Sequence, residues 1–349
     1  MNTSKEKNGG NRFNLTPAQL KQCRKIMEEA IIVDCLTFIP LLNNPRYLET
    51  LRTAGVTATH VTIPDPADNC RDALKKLALW REAIDSNQNE TVLAFRASDI
   101  KMAKETGKVA IIMGSQNGKI IEDELTFVRV FKELGIRIIQ LAYQDQNYIA
   151  SGCGESKPGG LSSFGHKVIC EMEKLGILVD LSHCAPLTTD EVLEISTRPL
   201  IISHSGPSKR CEHIRNKSDN QIKKLASKGG VMGIPSWSAF TPSNYGPRPA
   251  IEDYLDNIEY VISLVGDDHV GIGLDFDPLW TKLDYDTWRA KYPECCGRFE
   301  FENMNLEGLH NVSCISRIVE GLIARKHGED TIKKILGGNF MRVFGEVWE

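Results

Sequence analysis

No apolar run in the chain approaches the roughly 18 residues that a membrane-spanning helix requires. The opening Met1-Asn2-Thr3-Ser4-Lys5-Glu6-Lys7 leads into no apolar segment of the kind a secretory leader carries, so a cytoplasmic protein without a membrane partner is expected. Charge of one sign is scarce as well: 42 Lys and Arg stand against 46 Asp and Glu. That balance provides no basic face for nucleic acid. Neither G-x-G-x-x-G nor G-x-x-x-x-G-K-[ST] occurs at a strand-to-helix turn, which removes the usual nucleotide-binding folds. There is no G-x-S-x-G elbow, so a serine mechanism of the α/β-hydrolase type lacks support. The 10 cysteines show no zinc-finger spacing and read as small buried thiols in a reducing compartment. Cys295-Cys296 stands apart as an adjacent pair in a polar stretch, read as an ordinary reduced pair.

What is present is a series of short aliphatic runs. Eight strand candidates follow one another: Ile31 to Asp34, Val56 to Ile63, Val109 to Met113, Ile136 to Ala142, Ile177 to Ser182, Leu200 to Ser203, Gly230 to Ile234 and Val270 to Asp275. Amphipathic segments separate most of them, which predicts a parallel sheet with right-handed crossovers. Eight such units favour closure into a (β/α)8 barrel of the TIM type; an open doubly wound sheet is the alternative. The expected organisation is a disordered tail over 1–14 and a single barrel domain over 15–349, its first helix opening at Thr16-Pro17. The aromatic and charged segment at about 280–306 reads as an insertion covering the barrel mouth.

Ligands bind at the carboxyl ends of barrel strands, and two strands end there in histidine: Leu178-Val179-Asp180-Leu181-Ser182-His183 and Ile201-Ile202-Ser203-His204. Two neutral imidazoles suit Zn, Fe, Ni or Co. A third ligand would have to come from Gln116, Asp275, Asp34 or solvent. Asp275 lies in the apolar, glycine-thinned Val270-Gly271-Ile272-Gly273-Leu274-Asp275, where an unpaired carboxylate is costly to bury, and it is therefore a candidate ligand or proton-transfer group. Arg215, just before a helix near Ser218, has the fork geometry that grips a carboxylate. Gln116, Tyr143 and Asn147 follow the third and fourth strand candidates and face the same end.

These motifs together resemble the membrane dipeptidase family (renal dipeptidase, peptidase M19), from about Ile31 to the C-terminus. The resemblance rests on the two histidine-ended strands, on His213-Ile214-Arg215-Asn216, on Val270 to Asp277 and on Gly337-Gly338-Asn339-Phe340. It implies an amidohydrolase-like barrel with two metal ions that hydrolyses dipeptides, often as a homodimer. His183 and His204 then match ligands of one ion, Arg215 the binder of the substrate carboxylate and Asp275 the proton-transfer aspartate. The family's first-strand Asp-Gly-His-x-Asp, however, reads here Asp34-Cys35-Leu36-Thr37-Phe38. The bridging glutamate is Gln116, and the histidine that polarises the scissile group is Tyr143. The expected protein is a divergent metal-dependent hydrolase. It uses one divalent ion at most, zinc by preference, on a small carboxylate-bearing amide or dipeptide, with Asp275 and Tyr143 catalytic and Arg215, Gln116 and Asn147 binding substrate. Two alternatives stay open: a repurposed enzyme performing elimination, decarboxylation or isomerisation of a modified amino acid, and a non-catalytic binding protein.

Overall fold

Among the described residues nine strands, all parallel, form one sheet: β1 Val33–Thr37, β2 Ala58–Thr62, β3 Thr91–Leu93, β4 Val109–Ser115, β5 Ile138–Gln140, β6 Leu178–Asp180, β7 Ile201–Ile202, β8 Val231–Ile234 and β9 Val270–Ile272. The computed structural model describes residues 11–348. Eight strands run in the order β1-β2-β4-β5-β6-β7-β8-β9. The ring nearly closes where the Phe38 amide donates to Phe276 O at 2.8 Å and the Asp275 amide to Leu36 O at 2.9 Å. The result is the (β/α)8 barrel expected from the alternation of runs. The ninth strand, β3, was not foreseen: it has three residues and pairs with the first half of β4, while β5 pairs with the last residues of the same strand.

Hydrophobic side chains fill two layers. One lies between strands and helices, and the other plugs the amino end of the barrel. There, the helix Asn339–Trp348 presents Phe340, Val343, Phe344 and Val347 to Val33, Ala58, Ala110, Ile138 and Leu178. With that end sealed by apolar packing, the polar inward-facing groups collect toward the carboxyl ends. Close packing near the site also depends on glycine. A Cβ on Gly233 or Gly273 would overlap the carbonyl oxygen of Ser203, the residue before His204. Gly273→Ala is therefore expected to lower the unfolding free energy by about 1–3 kcal/mol, the range for overpacking. Urea denaturation measures this, and a variant as stable as the parent would show that the strand ends yield freely.

Several expectations are refined. Thr16 caps the helix Pro17–Glu29 as foreseen, accepting from the Gln19 amide. The tail expected over 1–14 lies outside the described residues up to residue 10; beyond it, Arg12 is tied to Glu252 at 2.8 Å. The segment at 280–306 contains helices Lys282–Lys291 and Pro293–Cys296, and the latter turns Cys295 and Cys296 inward to 1% and 0% exposure. No helix among the described residues is long and apolar enough to cross a membrane.

Candidate active site

The turns that follow β6 and β7 each carry a serine and then a histidine, and their side chains interlock. Asp180 accepts from the Ser182 amide and hydroxyl at 3.0 and 2.6 Å, and from the Ser203 amide and hydroxyl at 3.0 and 2.5 Å. With its own proton committed to Asp180, the Ser203 hydroxyl accepts from His204 Nδ1 at 2.7 Å. We assign His204 the Nδ1–H tautomer on that ground, which leaves a lone pair on its Nε2. That lone pair faces His183 Nε2 at 2.9 Å. Two lone pairs at that separation need a proton or a cation between them. Burial, and then the nearby Arg215 guanidinium, hold both imidazoles below their ordinary range, so each is neutral.

Arg215 is 1% exposed and stacks over Phe240, its guanidinium carbon 5.1 Å from the ring centre. It donates to the carbonyls of Ser182 and His204, at 3.3 Å for the latter, so it braces both histidine-bearing turns while bordering the chamber. Two of its five N–H donors are used this way, and the rest of the fork is available to an anion. Asp275 is a non-glycine residue at φ 58, a strained backbone state that tends to accompany function. Burial pushes its carboxyl up to about 8, against the lowering effect of Arg215. Tyr143 stacks on His183 with ring centres 4.2 Å apart. Burial drives its phenol far above the ordinary range, so it stays protonated and keeps a proton to donate.

Two connected spaces result. A narrow inner chamber of about 30 Å³ is lined by Gln116, Tyr143, His183, Arg215 and Asp275 with an aromatic wall. It opens into a vestibule of about 750 Å³. Phe38, Gln116, Tyr143, Asp277, Trp280 and Trp288 border both.

Of the residues singled out in the sequence, Gln116, Tyr143, His183, Arg215 and Asp275 border the inner chamber, and His204 stands behind His183. Asn147 does not reach it. It borders the vestibule instead, where its amide donates to Leu141 O and Asn117 and accepts from the amides of Ile149 and Ala150. Asp34 likewise falls short of the cavity. Its Oδ1 accepts from the Leu274 amide at 2.8 Å, and burial pushes it up to about 7.

Sequence reasoning missed the Asp180 and Ser203 relay, although the Asp-x-Ser-His spacing carries a signal once both strands are known to be neighbours. It also missed Lys217, 2% exposed, whose Nζ donates to Cys184 O at 2.8 Å and Thr189 at 3.1 Å. Desolvation brings this amine down to about 8. It fixes the turn that carries His183.

A two-ion centre does not fit these residues. The apolar Leu36 and Phe38 stand at the end of β1, and the amide of Gln116 cannot supply a bridging negative charge. Among the described residues, no group of three or more His, Cys, Asp or Glu side chains is placed to hold an ion. The imidazole pair does fit a single ion with two protein nitrogens, since His204 has its second nitrogen anchored in the manner usual for ligating histidines.

A nearly closed parallel barrel with a histidine pair, a half-buried aspartate and an arginine at its carboxyl end has the architecture of amidohydrolase-like barrels. The sequence model of the membrane dipeptidase family (peptidase family M19) matches residues 20–284 and 296–349, and the chain belongs to that family. It is 32% identical to an amidohydrolase from Pseudomonas aeruginosa, whose crystal structure superposes with a TM-score of 0.85 over 93% of this chain and 99% of that one. It is 31% identical over 261 residues to an uncharacterized dipeptidase of Schizosaccharomyces pombe, covering 72% of this chain and 62% of that protein. With a dipeptidase of Claviceps purpurea the identity is 28% over 282 residues, 79% of this chain and 60% of that protein. The chain thus spans about three-fifths of the length of these two curated relatives.

Proposed function

We propose that the protein hydrolyses a small amide or dipeptide bearing a free carboxylate, with one divalent ion, zinc by ligand preference, held by His183 and His204. The observation that carries this reading is the convergence of Arg215, Asp275 and the imidazole pair on one narrow chamber. The Arg215 fork takes the carboxylate and fixes the register of the ligand. Asp275, protonated near neutral pH, is suited to give a proton to the departing nitrogen. Tyr143 and Gln116 offer donors along the same wall. A bound ion would supply Lewis acidity to the scissile carbonyl. Leu36 and Phe38 keep the other half of the family's centre apolar.

That apolar half also favours a second reading, in which the same residues act on a single modified amino acid by elimination, decarboxylation or isomerisation. Incubation with dipeptides, N-acyl amino acids and their methyl esters, followed by mass spectrometry, separates the two. Cleavage of free acids with sparing of esters is expected. Turnover of single amino acids with every amide intact would replace the first reading by the second.

A further inference from the structure

The outer wall of the inner chamber is a corner built from three tryptophans. Trp237 follows β8, while Trp280 and Trp288 come from the segment at 280–306. The Trp237 plane stands at 79° to Trp280 and 76° to Trp288, with ring centres 6.1 and 5.9 Å away. Trp280 and Trp288 meet at 54° with centres 5.5 Å apart. All three border the chamber, so planes set nearly at right angles present indole surface from more than one side. Indole faces carry negative quadrupole density and attract cations, most strongly where water is excluded.

An anion stands at the same place. Asp277 borders both spaces beside Trp280 and Trp288, and its Oδ1 accepts from the Leu279 amide at 2.9 Å. Burial raises its carboxyl only to about 6, which leaves it ionised at neutral pH. The two lysines of the vestibule are otherwise engaged: Lys291 pairs with Asp145 at 3.2 Å and Lys119 donates to Ala67 O at 2.5 Å. The cavity is therefore polarised, with the Arg215 cation in the inner chamber and an anion set among aromatic faces where it meets the vestibule. That polarity is complementary to a zwitterion. Of the other carboxylates bordering the vestibule, Asp65 and Asp145 are paired with Lys76 and Lys291, and Asp284 accepts from the Thr281 amide and hydroxyl; against the indoles an N-methylated head has less hydration to lose than a bare ammonium and more surface to stack. The family match is interrupted between residues 284 and 296, the stretch that supplies Trp288, whereas Trp237, Asp277 and Trp280 lie within the matched residues.

We infer that the corner of Trp237, Trp280 and Trp288, with Asp277, binds the N-methylated ammonium head of a zwitterionic substrate whose carboxylate reaches Arg215. This rests on the carboxylate-binding role proposed above. Calorimetry with N,N,N-trimethylglycylglycine and N-(3,3-dimethylbutanoyl)glycine tests it, because the two differ only in a cationic nitrogen against a neutral carbon. The cation is expected to bind about tenfold more tightly. Trp280→Leu, at a partly exposed position, and Asp277→Asn should each bring the ratio toward one while binding of the neutral ligand persists. Equal affinities in the parent protein, with the methyl ester of the cation much weaker than its acid, overturn this inference alone. An ester as tight as the acid overturns the Arg215 reading on which it rests, and no binding by either ligand at millimolar concentration overturns both.

Discussion

Replacing Arg215 with Met is expected to weaken binding of carboxylate ligands by about 100-fold or more, the scale of losing one partner of a buried, hydrogen-bonded charge pair. The same variant loses stability, because the carbonyls of Ser182 and His204 lose their donor inside the barrel at about 1–3 kcal/mol for each unsatisfied group. Arg215→Lys separates the two effects. It keeps the charge but not the planar fork, so it should recover part of the affinity and little of the bracing. Titration with a ligand and its methyl ester is the check: the ester should bind weakly to parent and variants alike. A Met variant that still prefers the acid over the ester would remove Arg215 from substrate recognition.

Asp275→Asn is expected to abolish most activity while making the protein more stable at alkaline pH. The Asp275 carboxyl is pushed from 3.8 to about 8 by burial, so the folded chain holds a proton that the unfolded chain has released across that window. Stability linked to this group is complete below the unfolded value and is lost as pH rises through the folded one. Four units correspond to roughly 5 kcal/mol as an upper bound. Asparagine cannot ionise and escapes this loss. Urea denaturation at pH 5, 7 and 9 should therefore give the smallest difference between parent and variant at pH 5, with the variant's advantage growing at pH 7 and largest at pH 9. Asp34 at about 7 and Asp277 at about 6 have shifts of the same sign, so a shallower slope remains in the variant. Activity should fall by about 10²–10⁴, the usual contribution of a general acid, and the parent rate should decline above about pH 8 as Asp275 deprotonates. Identical pH dependence of stability in both proteins would mean that the carboxyl is ionised throughout.

The histidine pair was legible because both histidines end short aliphatic runs, and the barrel rule places strand ends together. Arg215 and Asp275 were legible chiefly through the family motifs, since an arginine in a loop and an aspartate after a strand each have ordinary structural uses. The relay through Asp180 was not legible: its four donors come from two strands whose adjacency appears only after closure. Nor was the tryptophan corner, whose members lie at 237, 280 and 288 and meet only because the segment at 280–306 folds over β8. That Asn147 borders the vestibule and not the inner chamber was likewise not legible, since its place is set by four local hydrogen bonds. The short β3 escaped notice because three residues carry too little period to separate strand from turn.

Elemental analysis of the purified protein and of the His183→Ala/His204→Ala double variant tests the central claim most directly: half of the family's centre is filled by Leu36 and Phe38, and the imidazole pair holds what remains. The account predicts about one divalent ion per parent chain and none in the double variant. Two ions per chain, no ion in the parent, or an ion retained without either histidine would contradict it.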